Sequence, residues 1–143
     1  MTRVLIVANQ TAGGRHLRDE VARRVARGQR TFTLLVPSTR PHGTFTWTDG
    51  QARALAARRM DSAIEMLSDL GIEIDGVVGV APTALDAVRD LMRERDFDEV
   101  IVSTYPHPVS HWLRMDLPSR IEYHSGKPVT HIVASVRERV GAA

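Results

Sequence analysis

The chain has 143 residues, 43% hydrophobic and 25% charged, a balance that suits one globular domain and excludes a disordered chain. No apolar run approaches the roughly 20 residues that span a bilayer, and the absence of cysteine removes disulfide, thiolate and zinc–thiolate chemistry together. The formal net charge is only +2, with 19 basic side chains, Lys127 the sole lysine, scattered among 17 acidic ones, whereas a nucleic-acid binder concentrates its basic residues on one face.

Val4 to Ala8 follows a single arginine without a cleavage-site pattern, so it reads as a strand rather than a signal peptide, and a cytoplasmic protein without membrane or nucleic acid as partner is expected. Its continuously apolar character is that of a strand covered on both faces. Leu17, Val21 and Val25 mark one face of a first helix, ended by Gly28, a residue suited to a left-handed cap. The basic group on this helix, Arg15, Arg18, Arg23, Arg24 and Arg27, lacks the aromatic residues that stack on bases. Phe32 to Val36 is a second predicted strand. A long connection from Pro37 to Gly50 follows, carrying Phe45 and Trp47, and loops of that length in compact domains are more often functional than idle.

The second helix starts after Asp49 and carries Ala52, Ala56, Met60, Ala63, Ile64 and Leu67 at helical spacing before stopping at Gly71. Ile72 to Val80 is predicted as the third strand, Leu85, Val88, Leu91 and Met92 mark a third helix after Thr83, and Val100-Ile101-Val102 is the fourth strand. Pro118 interrupts the next helical stretch because proline lacks an N–H. A short helix over about Val109 to Met115 is therefore followed by a second beginning at Pro118, proline being favoured at the first helical position. Val129 to Val133 is the fifth strand. The alternation predicts a single α/β domain over residues 1–143 with a parallel sheet and right-handed crossovers. Ligands in such sheets bind beyond the carboxyl ends of the strands where strand order reverses. The segments placed there are Asn9 to Gly14, Pro37 to Gly50, Gly79 to Thr83 and Ser103 to Val109.

The run Asp98-Glu99-Val100-Ile101-Val102-Ser103-Thr104, then a broken helix, then Gly126-Lys127-Pro128-Val129-Thr130-His131-Ile132-Val133, resembles the C-terminal half of the universal stress proteins. The turn Val78-Gly79-Val80-Ala81-Pro82 and the Val4 to Asn9 strand and loop are similar to that family's as well, and element order matches over nearly the whole chain while residue identity is low. The resemblance implies a five-stranded sheet in the order 3-2-1-4-5 with helices on both faces, and a stress-response or regulatory role. It also implies a homodimer through the fifth strand, to which the apolar run Val129 to Val136 on an open sheet edge also points. Nucleotide-binding members carry Gly, two residues, Gly, nine residues, Gly, then Ser or Thr. Here Ser103, Pro106 and about Asp116 or Leu117 fall at those glycines. Proline removes an N–H and Asp116 repels phosphate, so ATP held in the family's manner is expected to bind weakly or not at all. The family's acidic residue after the first strand is also replaced, by Ala8-Asn9-Gln10.

Gly13-Gly14 precedes a helix whose N–H groups suit an anion, and Ser103, Thr104, Arg114, Ser119 and Arg120 are sound phosphate partners above the fourth strand. The expected ligand contacts are Asn9, Thr11, Gly13, Gly14, Ser103, Thr104, Ser119 and Arg120. His107 and His111 share a helix face, with His124 and Asp116 the further metal-ligand candidates, but they lack a matched carboxylate partner, so no metal site is expected. No Gly-x-Ser-x-Gly elbow or carboxylate pair marks a catalytic group. The expected function is non-catalytic binding of a small anionic ligand, ATP or another nucleotide being one candidate. The alternatives are a degenerate family member acting by protein contacts alone and, third, a slow nucleotide hydrolase.

Overall fold

The computed structural model describes residues 1–38, 48–106 and 110–134. Strands β1 (Thr2–Val7), β2 (Arg30–Pro37), β3 (Glu73–Gly79), β4 (Glu99–Thr104) and β5 (Val129–Val133) are interleaved with helices α1 (Arg15–Ala26), α2 (Asp49–Ser68), α3 (Ala84–Glu94), α4 (His111–Arg114) and α5 (Leu117–Ser125). All strand pairings are parallel, in the order β3-β2-β1-β4-β5, as expected. The central strand β1 sets the register on both sides, with Leu5 aligned to Thr33 of β2 and Val100 of β4.

Because side chains alternate across a strand, the apolar run of β1 feeds two cores. Val4, Ile6 and Ala8 face Leu17 and Val21 of α1 and Ala56, Ala63 and Leu67 of α2. Leu5 and Val7 face Val88 and Leu91 of α3 and Leu117 and Ile121 of α5. The helices therefore cover both faces, α1 and α2 on one and α3 and α5 on the other.

Local chemistry explains the helix starts. Thr48 and Gln51 form a capping box, the Gln51 N–H donating to Thr48 Oγ1 at 3.1 Å and the Thr48 N–H to Gln51 Oε1 at 2.8 Å. The Asp86 N–H donates to Thr83 Oγ1 at 3.1 Å. Helix α1 differs: Gly14 is its N-cap, no side chain caps it and its first turn holds no acid.

Four sequence expectations are adjusted. Val25 is exposed rather than buried, since the buried face of α1 continues instead through Glu20 and Arg24. Strand β3 ends at Gly79, leaving Val80 exposed. Helix α5 begins one residue earlier than Pro118, and α4 spans only His111–Arg114, Val109 lying outside the described residues. Phe45 and Trp47 also lie outside them.

The buried Arg24 is the hub of an ionic network at the amino ends of the strands. Its guanidinium donates to Glu20 at 2.9 Å, Glu99 at 2.7 Å and Thr130 at 2.7 Å, joining α1 to β4 and β5. Arg30 of β2 adds bonds to Glu99 at 3.3 Å and to the Arg24 carbonyl at 2.6 Å. These bonds tie the amino ends of β2, β4 and β5 to α1 by charge and hydrogen bonding.

Candidate functional site

Strand order reverses between β1 and β4, so the crevice beyond their carboxyl ends is where an open parallel sheet offers room for a ligand. The loop after β1 closes it through two tight turns, the Ala12 N–H donating to the Asn9 carbonyl at 3.1 Å and the Gly14 N–H to the Thr11 carbonyl at 3.0 Å. Gly14 thus spends its own N–H inside the turn. Gly13 is exposed, and a Cβ there would meet nothing within 4 Å.

Ser103 at the end of β4 is pinned by that loop. Its Oγ lies 2.5 Å from Thr11 Oγ1 and 2.6 Å from His16 Nε2. Thr104 Oγ1 lies 2.8 Å from His131 Nε2 on β5. Both hydroxyls are buried, at 1% and 3% exposure, and both are already hydrogen-bonded inside the protein. Gly14 makes the Ser103 contact possible by its size: a Cβ at that position would stand 2.5 Å from His16 Nδ1 and 3.1 Å from the Thr11 carbonyl oxygen. Its glycine serves the seating of an imidazole and not an unusual backbone angle, since φ is −77°.

Asn9 is bonded on both sides. Its Nδ2 donates to the Pro37 carbonyl at 3.0 Å, and its Oδ1 accepts from Arg59 Nη1 at 2.6 Å. Ser119 and Arg120 lie exposed on α5, and their side chains make no hydrogen bond or ion pair among the described residues. The structure therefore brings Asn9, Thr11, Gly14 and Ser103 together, sets Thr104 beside them facing β5, and leaves Gly13, Ser119 and Arg120 on the surface. His107 and the side chains of His111 and Arg114 lie outside the described residues, and no group of three metal-ligating side chains occurs among those described.

Arg59 is the residue that sequence reasoning missed. It reaches from α2 to Asn9, half-buried, and it has no carboxylate partner among the described residues. Burial draws its pKa below the ordinary guanidinium value, Tyr105 acting to raise it and Arg58 to lower it. A signal was present in the helix pattern. Ala52, Ala56 and Ala63 are buried on one stripe of α2, and Arg59 occupies the position of that stripe between Ala56 and Ala63, where a charge is out of place.

The surrounding charge has the same sign. Arg15 and Arg18 on α1 and Arg53 and Arg58 on α2 are exposed and make no ion pair among the described residues. Arginines in the first turn of a helix oppose the macrodipole, so Arg15 and Arg18 bring positive potential to this edge against the preference of α1. Chemically, the crevice offers a partly desolvated guanidinium, whose planar fork suits two oxygens of one anion, beside the phenol of Tyr105.

An open parallel α/β domain with a cationic switch-point crevice is thus the class defined by fold and site. No family model and no curated protein sequence matches the chain. Solved structures do match. A universal stress protein from Archaeoglobus fulgidus is 14% identical with a TM-score of 0.64, over 92% of this chain and 93% of that one. An Arabidopsis thaliana universal stress protein family protein with AMP bound is 10% identical with a TM-score of 0.65, over 96% and 95%. A universal stress protein in complex with cAMP is 18% identical with a TM-score of 0.61, over 94% and 98%. The chain has the universal stress protein fold, and the resemblance read from its residues is borne out.

Proposed function

We propose that this protein is a divergent universal stress protein, a non-catalytic stress-response domain that binds a small anionic ligand of the nucleotide class at the carboxyl edge of its sheet. The observation that carries this reading is Arg59, a half-buried guanidinium without a carboxylate partner among the described residues, held over the end of β1 by Asn9. Neighbours of the same fold are described in complex with cAMP, AMP and dAMP, which supports a nucleotide over other anions. Pro106 and the left-handed Asp116 stand near where phosphates would meet backbone N–H groups, so the anionic group of the ligand belongs at Arg59 and ATP binds weakly. Calorimetry with AMP, cAMP and ATP tests this. AMP or cAMP is expected to bind more tightly than ATP, and Arg59→Gln to weaken binding about tenfold or more, the loss of a charge-assisted hydrogen bond. Equal affinity of variant and wild type would remove Arg59 from the site.

A second reading, action by protein contacts without a nucleotide, is favoured by one observation. The hydroxyls of Ser103 and Thr104 are already engaged internally, and heat-neutral titrations with all three nucleotides would support it. In either reading we propose a cytoplasmic homodimer joined through β5, whose outer edge exposes His131 and Val133. Light scattering that gives a monomer at micromolar concentration counts against the dimer. No helix among the described residues is long and apolar enough to cross a membrane.

A further inference from the structure

A groove of about 320 Å³ opens between α3 and α5, where the chain leaves α3 for β4 and α5 for β5. That is the amino edge of the sheet, opposite the switch-point crevice. Its volume falls at the small end of the roughly 300–1,000 Å³ range of small-molecule sites. Val88, Phe97 and Ile121 form a buried apolar floor, and Leu85 and Met92 are half-buried walls.

The rim is cationic. Arg93 and His124 stand in the last turns of α3 and α5, where they complement the helix carbonyl ends. Arg93 also pairs with Asp90 at 2.9 Å, and Arg95 with Asp75 at 2.7 Å. Those charges are spoken for. Arg89 and Lys127 remain, exposed and without an ion-pair partner among the described residues, against one rim carboxylate, Asp96.

We infer that this groove is a second binding site, which takes an amphipathic organic acid, its apolar body on Val88, Phe97 and Ile121 and its carboxylate between Arg89 and Lys127. Neutral apolar molecules would leave both cations without a counter-charge, and amines would meet repulsion. The inference is independent of the nucleotide reading, because the two sites lie at opposite edges of the sheet.

The test uses the full chain and the dye 1-anilinonaphthalene-8-sulfonate, itself an apolar body with one anionic group. Saturable fluorescence enhancement, displaced by octanoate and not by octylamine or octanol at equal concentration, is expected. The double variant Arg89→Gln, Lys127→Gln changes only exposed side chains, and its circular dichroism and melting temperature check the fold. Octanoate affinity should fall about tenfold in it. Amide shifts in the wild type should move at Leu85, Met92 and Phe97 on adding octanoate. Displacement by octylamine as good as by octanoate, undiminished binding in the double variant, or shifts confined to Asn9 and Arg59 would each overturn the inference.

Discussion

Asp116 is the one non-glycine with positive φ among the described residues, at 54° with ψ of 42°. It immediately precedes α5, at about the place where the sequence resemblance sets the last glycine of the nucleotide-binding pattern. Its side chain makes no capping bond to the helix it precedes, so nothing local repays the left-handed conformation. That conformation costs roughly 1–2 kcal/mol for an L-residue, and a glycine there adds back about 0.4–1 kcal/mol of unfolded-chain entropy. Asp116→Gly is therefore expected to raise stability by roughly 0.5–1 kcal/mol in urea titrations. An unchanged or lower midpoint would mean that the Asp116 carboxylate contributes more than its geometry indicates. A carboxylate introduced at Gly14, by contrast, would displace His16 from Ser103 before meeting any anion.

At the scale of elements, two glycines of β3 fix how closely helices approach the sheet. A Cβ on Gly76 would meet the ends of Met60 and Ile64 of α2, at 2.5 Å in each case, and those flexible tips have room to turn. A Cβ on Gly79 would meet Ala87 Cβ of α3 at 2.8 Å and Leu35 Cδ1 at 3.2 Å, with the Pro37 backbone at 3.4 Å. Ala87 has no side-chain torsion with which to yield, so the helix itself must move. Gly79→Ala is expected to cost about 1–3 kcal/mol of unfolding free energy. Gly13→Ala, where the added methyl meets nothing within 4 Å, serves as the near-neutral control. Equal midpoints for the two variants would show that α3 is seated more loosely than these distances imply.

Across the whole molecule, the ion pairs of the amino edge link three strands and a helix to pH. Burial acts to raise the Glu20 carboxyl, but hydrogen bonds and charge from Arg24 and Arg23 outweigh it and hold the pKa below 4.5. Asp75 is held below 3.8, burial again opposing and Arg95 and Thr33 prevailing. A carboxyl whose pKa is lower folded than unfolded stabilises the fold fully above its unfolded value and ceases to do so as pH falls through its folded value. The melting temperature should thus decline as pH drops below about 4.5, the unfolded reference for Glu20. Asp75 contributes less, since its side chain is 53% exposed and solvent screens the pair. Glu20→Gln should lower stability at neutral pH and flatten the acid limb. An acid limb as steep in the variant as in the wild type would assign the loss to other carboxyls.

The sequence by itself determined the elements and their layering, because those follow from local pattern. The unbroken apolar runs of β1 and β4 required cover on both faces, the helical stripes of α2 and α3 had one buried side each, and Pro118 forced the split before α5. Strand order came from a family resemblance carried by the stretch from Asp98 to Val133, and the parallel ladder agrees with it. Only the tertiary structure decided which polar side chains meet. Arg59 reaches Asn9 across 50 positions of chain, and His16 reaches Ser103 across 87. Those meetings depend on which strands the sheet places side by side, a non-local choice that residue spacing does not encode. The same non-locality explains Ser103 and Thr104, read from sequence as open donors: the neighbouring α1 and β5 supply His16 and His131 to engage them. It also explains the buried Arg24, whose partners arrive from β4 and β5 to turn the end of an apolar helix face into an ionic hub.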